Sequence, residues 1–200
     1  MKFPEYSERL TNISRDQLLT QLKDQVSEKR YKHVLGVEEA ALELAEANQV
    51  DLAEASLAAL LHDFAKDMDP ETMMGLALIY TGNERLKEGS PAIWHGPAAA
   101  QIGRDRFGIT NPSILKAVAV HTIASPEMDS LAKVLYTADY IEAGRDFKGV
   151  ATARKLAKKD LDQACLYQMA ETIAHLAQER KAIYYESLDA YNAWCQKLNS

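Results

Sequence analysis

Cysteine is scarce in this chain, which carries only Cys165 and Cys195 in 200 residues. Both stand away from every cluster of candidate ligands. That excludes a disulfide framework, an iron–sulfur centre and an all-thiolate zinc site. Long apolar runs are missing too. No stretch approaches 18 consecutive apolar residues, so no membrane span is expected. The N-terminal MKFPEYSERL has no apolar run behind its lysine, and no secretory signal is read there. These absences point to a cytoplasmic protein. A basic surplus is also lacking: 23 bases face 29 acids, a formal net charge of -6. That balance argues against a nucleic-acid polymer as partner and leaves a small phosphorylated ligand open. Strand-length alternation, internal repeats and low-complexity segments are absent.

Hydrophobic residues make up 47% of the chain, with alanine and leucine filling most apolar positions. The pattern predicts an all-α protein. Ser14 and Gln17 have capping-box spacing, followed by Leu18, Leu19, Leu22 and Val26 on one stripe. A second helix is expected over about 28–47, broken at Asn48-Gln49. A third starts at Asp51 and runs through His62 and Asp63, ending before Asp69-Pro70. Pro70 opens a short helix to about Tyr80, and TGNERLKEGS reads as a loop. Pro91 begins the segment with His95, which Gly96-Pro97 is expected to interrupt before a helix to Arg106. Asn111-Pro112 starts a helix to His121. A further helix over about 128–145 carries Asp139, and two late helices are expected over about 150–175 and 178–197. No domain boundary is apparent. The expectation is one domain over 1–200, with a core of about 15–146 and the late helices packed on it.

The chain has five histidines. His33, His62, His95 and His121 fall on four separate helical segments, 29, 33 and 26 residues apart. Each interval suits one helix–loop–helix unit, so successive helices can bring imidazoles to a common centre. Asp63 follows His62 directly, and Asp139 lies in the otherwise apolar VLYTADYI. A carboxylate in such surroundings needs a cation, hydrogen bonds or a metal. Imidazole with carboxylate suits iron, manganese, cobalt or zinc. Six candidate ligands exceed the needs of one tetrahedral ion and fit two ions sharing a carboxylate, though spacing alone does not fix the number. His175 lies in a late helix and reads as a helix-face residue. Tyr184, Tyr185, Tyr191 and Trp194 read as packing or an oligomer contact, and a homodimer is compatible with base rates.

The ordered series His33, His62-Asp63, His95, His121, Asp139 resembles the di-metal form of the HD-domain phosphohydrolases. KRYKHVLGVEEAALELAEAN, LAALLHDFAKDM, PAIWHGPAAA and AVAVHTIASPEMDSLAKVLYTADYIEAGR are similar to the bacterial YqeK family over about residues 15–180. The resemblance implies an HD-domain helical bundle with additional C-terminal helices. It implies symmetrical hydrolysis of diadenosine tetraphosphate to two ADP, with iron as the favoured metal and purine nucleotides as ligands. It further implies that His33, His62, Asp63 and Asp139 hold one ion and that Asp63 bridges to a second held by His95 and His121. A bridging water or hydroxide would attack a central phosphorus. Lys66 matches the family's His-Asp-x-x-Lys pattern and is expected beside Asp63 in the catalytic machinery. Arg30, Lys66, Thr122, Tyr140 and Arg145 are expected substrate contacts, and Arg145 has Glu142 as an alternative partner.

Two departures bear on the substrate. Where the family has a threonine–glycine–basic run after His121-Thr, this chain has Ile123-Ala124-Ser125. Where a proline is usual after the glutamate, it has Ala143. Other HD-domain enzymes act on mononucleotides, deoxynucleotides, cyclic dinucleotides or guanosine tetraphosphate. Some proteins of similar ligand order use iron and oxygen to oxidise a substrate, and a non-enzymatic regulatory role is a third class. The full ligand set argues against the last.

Overall fold

The computed structural model describes residues 3–199. They form helices and turns, with no strand among the described residues. In chain order the helices are α1 (Arg15–Gln25), α2 (Glu28–Ala47), α3 (Leu52–Leu61), α4 (Pro70–Thr81), α5 (Pro91–Phe107), α6 (Pro112–Val120), α7 (Ser130–Ile141), α8 (Val150–Ala157), α9 (Leu161–Gln178) and α10 (Tyr185–Asn199). Short polar caps set most of the starts. Ser14 and Gln17 form a reciprocal capping box at α1, and Asp51, Asp69, Asn111, Asp129 and Asp160 each accept from a backbone N–H of the first turn. Such contacts satisfy amides that have no partner within the helix.

Helix α2 packs against α3 and α7, α5 lies between α4 and α6, and α6 closes onto α7. α9 rests on α7 and α8, and α10 rests on α9. One hydrophobic cluster runs from Ile13 to Trp194. At the α1–α2–α3 contact the fully buried Glu38 is held by Arg15 through two bonds of 2.8 and 2.7 Å. It also accepts from Ser56 Oγ at 2.5 Å. A buried carboxylate so paired is costly to break and fixes the register of the three helices.

Several elements depart from the sequence expectation. α3 stops at Leu61 instead of running through His62-Asp63. From there the chain tightens into three-residue turns, with Phe64 N bonded to Leu61 O and Lys66 N to Asp63 O. α5 is one helix with Pro97 inside it. Pro97 forfeits one backbone bond, but the Gly96–Ala100 stretch is buried against neighbouring helices, and that packing outweighs the loss. The loop after α4 contains a 3-10 turn, Glu84–Glu88. The helix expected over 128–145 is shorter, Ser130–Ile141. The helix expected over 150–175 is two, separated at 158–160 where Asp160 caps α9. α9 ends in a Schellman turn: Arg180 takes φ 54° and Lys181 N bonds Leu176 O at 2.9 Å. α10 therefore starts at Tyr185, not near 178. Trp194 and Tyr184 are buried within the chain, so they serve packing.

Candidate metal centre

Four of the six candidate ligands sit at or near helix ends. His62 caps the C-terminus of α3 and His121 that of α6. Each ring uses Nδ1 to bond a carbonyl of the last turn, Ala59 O at 2.6 Å and Val118 O at 2.7 Å. Those carbonyls lack a helical partner, so the imidazole N–H satisfies them. His95 lies in the opening turns of α5, with Nδ1 3.2 Å from Pro91 O. Asp139 is in the last turn of α7, His33 lies within α2, and Asp63 follows His62 in the turns after α3. Gly96 permits the close approach of α5 to α6, because a Cβ there would stand 2.9 Å from the Ala119 and Val118 carbonyl oxygens.

The side chains converge on Asp63, and its two oxygens face different ways. Oδ2 lies 3.4 Å from His62 Nε2 and 3.7 Å from His33 Nε2. Oδ1 lies 3.1 Å from His95 Nε2 and 3.9 Å from His121 Nε2. Asp139 Oδ1 joins the first group, 3.0 Å from His33 Nε2 and 4.0 Å from His62 Nε2. His95 and His121 bring their Nε2 atoms to 2.9 Å of each other. All six residues are thus gathered into two half-shells that share Asp63. Two overlapping groups of ligand atoms, His33–His62–Asp139 and His62–Asp63–His121, each lie within 4.8 Å of one another.

The surroundings fix which nitrogen points inward. Each Nδ1 faces an acceptor: three face carbonyls, and His33 Nδ1 faces Glu142 Oε1 at 3.2 Å. A carbonyl can only accept, so Nδ1 carries a proton, and Nε2 is the nitrogen each ring turns toward the centre. Burial pushes His121 down to about 3 and lowers His95 as well. Burial opposes charge on His62 too, but Asp63 and Asp139 outweigh it and raise that ring. Burial would likewise raise the two carboxyls; instead, His62 and His95 hold Asp63 well below its usual range, and His33 and His62 do the same for Asp139. Both aspartates are therefore ionised and the pair of histidines at Oδ1 is neutral, the protonation states that metal ligation requires.

Cations ring the cluster. Arg30 donates to Asp63 Oδ2 and Arg145 Nη2 to Asp139 Oδ1, each at 2.7 Å. Arg145 Nε also bonds Asp139 O at 3.0 Å, while Glu142 is a looser partner at 3.7 Å. Lys66 Nζ stands 3.4 Å from both ring nitrogens of His95, and burial lowers its pKa. Thr122 Oγ1 lies 3.3 Å from His121 Nε2. Tyr140 is not brought in. It packs its ring against Phe147, 4.8 Å between centroids, and lines an outer cleft with exposed His175.

Sequence reasoning overlooked Glu142 as His33's partner. It is 5% exposed and fits only because Gly36 leaves room, since a Cβ there would meet Glu142 Oε2 at 2.7 Å. A mid-helix glycine three residues after His33 was the available signal. Arg154 was overlooked as well. From α8 it donates to the carbonyls of Ile141, Glu142 and Arg145 and so fastens the turn that carries both Glu142 and Arg145.

One observation tests whether these residues fit a metal. His62 Nε2 is buried and makes no hydrogen bond. A ring nitrogen without a hydrogen bond, aimed into a nest of carboxylates, suits a cation ligand. The nitrogen–oxygen donor set suits a divalent transition metal. Two such groups around one carboxylate suit a dinuclear centre.

Comparison with known proteins agrees with this geometry. A family model described as HD domain matches residues 30–144. The chain is 36% identical to a Bacillus subtilis protein named bis(5'-nucleosyl)-tetraphosphatase, symmetrical, over 90% of this chain and 97% of that one. It is 34% identical to a protein of the same name from Halalkalibacterium halodurans, over 90% and 96%. A crystal structure from Clostridium acetobutylicum, described as a predicted HD superfamily hydrolase involved in NAD metabolism, superposes with a TM-score of 0.84 at 30% identity. The match covers 97% of this chain and all of that one.

Proposed function

The chain belongs to the HD-domain family, and on that premise we propose that it is a metal-dependent bis(5'-nucleosyl)-tetraphosphatase that cleaves diadenosine tetraphosphate symmetrically to two ADP. The observation that carries this reading is the division of Asp63 between two half-shells. His33, His62, Asp63 and Asp139 would hold one divalent ion, and Asp63, His95 and His121 the second. Iron is the proposed native metal, and manganese, cobalt or zinc suit the same donors. When bound, such ions neutralise charge on phosphoryl oxygens and acidify a water.

The chain's own groups do the rest. Arg30, Lys66 and Arg145 supply fixed positive charge on the rim, where a tetraphosphate's oxygens must lie. The Thr122 hydroxyl adds a neutral donor beside His95 and His121. Half-buried Lys66 has few waters to shed when it meets a phosphate; burial lowers its pKa, and the Asp63 carboxylate opposes that shift. The Nδ1–H bonds of the four histidines keep their rings from turning as substrate enters. Symmetrical cleavage consumes one water, breaks the bond from the central bridging oxygen to one of the two inner phosphorus atoms, and releases one ADP from each side. Tyr140 faces the outer cleft, so its contact with substrate would lie outside the phosphate-binding region.

Chromatography of the products tests the reading. Protein purified anaerobically and loaded with Fe(II) or Mn(II) should turn diadenosine tetraphosphate into ADP alone. AMP plus ATP would contradict symmetrical cleavage, and no cleavage at all would contradict the substrate.

A further inference from the structure

The C-terminal end of α7 is closed by a guanidinium from another helix. α8 buries Val150, Ala153 and Ala157 and packs on α7 and α9. Its half-buried Arg154 donates from Nε to Ile141 O at 2.9 Å, and from Nη2 to Glu142 O at 2.7 Å and Arg145 O at 3.0 Å. Ile141 is the last residue of α7 and Glu142 its cap. Carbonyls there have no partner within the helix, and a cation suits the negative end of the helix dipole.

Two features separate this contact from an ordinary surface arginine. The first is the choice of partner. Glu39 and Glu43 line the cleft beside Arg154, yet among the described residues its bonds all go to main-chain oxygens. The second is the geometry. One nitrogen, Nη2, holds the carbonyls at both ends of the 142–145 turn, so the backbone between Glu142 and Arg145 cannot open while that nitrogen binds both. The turn is also closed from within: Arg145 N bonds Glu142 O at 3.0 Å, and Gly144 N bonds Glu142 Oε2 at 2.5 Å. Its product is the placement of one carboxylate. Glu142 Oε1 stands 3.2 Å from His33 Nδ1, pressed against α2 where only a glycine fits, at Gly36. With so little clearance, a shift of the turn takes Glu142 off the ring.

We propose that Arg154 is a positioning residue for His33: by clamping the 142–145 turn onto the end of α7, it keeps the Glu142 carboxylate behind the imidazole and so holds Nε2 toward the metal centre. The proposal rests on the metal-centre reading above and extends it to a residue that touches neither a candidate ligand side chain nor substrate. It also gives the late helices a part in the site. The match to the HD-domain model ends at residue 144, and Arg154 lies beyond it on α8. The hold on His33 therefore comes from outside the matched segment.

A double-mutant cycle on the full-length protein tests this, read as Mn(II) affinity in competition with a calibrated chelator. Alanine is as good a helix former as arginine, so Arg154→Ala leaves α8 its propensity. It should weaken Mn(II) binding by about 10-fold. In a Glu142→Gln background the same change should add no more than about twofold, because the carboxylate through which it acts is already gone. A merely structural arginine would cost the same in both backgrounds. Arg154→Lys keeps the charge and gives up the fork; it should fall between wild type and Arg154→Ala, and it runs the same cycle where the alanine variant does not fold. Unchanged Mn(II) affinity in the Arg154 variants, or equal losses with and without Glu142→Gln, overturns the proposal. Product analysis with diadenosine tetraphosphate on the same wild-type preparation separates the two claims. A protein that shows the coupling but leaves the tetraphosphate intact contradicts the substrate reading and upholds the positioning role.

Discussion

At the residue scale, the account turns on how each imidazole is held. Glu142 fixes His33 from behind through Nδ1. Glu142→Gln retains the shape and can leave the His33 ring in the wrong tautomer, so it should weaken metal binding at the His33–His62–Asp139 half by about 10- to 100-fold. Competition with a calibrated chelator measures this, and wild-type affinity would refute the role. Protonation sets a second expectation. The folded protein keeps His121 neutral down to about 3, whereas an unfolded histidine takes up its proton near 6.5. Between those values the unfolded chain binds more protons, so stability falls as pH drops from about 6.5 toward 3. His95 acts in the same direction and His62 against it. Asp63 and Asp139 extend the loss below about 4, because their folded pKa values are depressed. Chelator-treated protein should thus show a lower urea midpoint at pH 5 than at pH 7, and His121→Asn should shrink that difference. An equal or higher midpoint at pH 5 would contradict the assignment.

The six residues that gather around Asp63 were legible in the sequence for a physical reason. His62, Asp63 and His121 follow apolar helical runs, and Asp139 interrupts one; polar groups in such places need partners. Glu142 was less legible, because an acid beside Gly-Arg looks like a surface pair until Gly36 is seen to make room for it. Tyr140 directly follows Asp139 but does not share its direction. Successive residues of a helix diverge by about 100°, and that rotation points Tyr140 to the Phe147 side.

At the scale of elements, the turn after α6 matters most. Ala124 takes φ 63° and is 2% exposed. It occupies the position where the resembling family has glycine, and it keeps the left-handed conformation that suits glycine. Trp194 of α10 secures this turn by donating from Nε1 to Ser125 O at 2.9 Å. Ala124→Gly should therefore stabilise the protein by about 1 kcal/mol, read as a higher urea midpoint at unchanged slope. A lower midpoint would show that the alanine methyl contributes packing that outweighs the strain. Helix starts were readable from Ser, Asp and Asn caps. Helix continuity was less so. Pro97 looked like a break because local propensity does not see the close contact of α5 with α6. The separation of α8 from α9 was hidden because Lys158 and Lys159 are acceptable helix residues, and only the Asp160 cap marks the new start.

At the scale of the whole molecule, α2, α3, α5, α6 and α7 each bring one candidate ligand or a candidate pair to a single point, while α9 and the segment before α10 wall a neighbouring cavity. No helix among the described residues is long and apolar enough to cross a membrane. The all-helical class could be foreseen from periodicity, whereas Asp63 as the shared point was only an implication of the family resemblance. The cavity could not be foreseen, because its walls come from segments around residues 90, 122, 136, 172 and 184, which are distant in sequence. Loss of metal should be felt throughout, since both half-shells tie several helices together through one carboxylate.

Anaerobic titration of metal-free protein with Fe(II) or Mn(II), following bound metal and diadenosine tetraphosphate cleavage together, tests the shared-carboxylate centre most directly. The account predicts two ions per wild-type chain, with cleavage appearing as the second site fills. Paired replacement of His95 and His121 by alanine should leave one ion bound and no cleavage. A wild-type chain that saturates at one ion with full activity, or a His95→Ala, His121→Ala variant that keeps both ions, would contradict it.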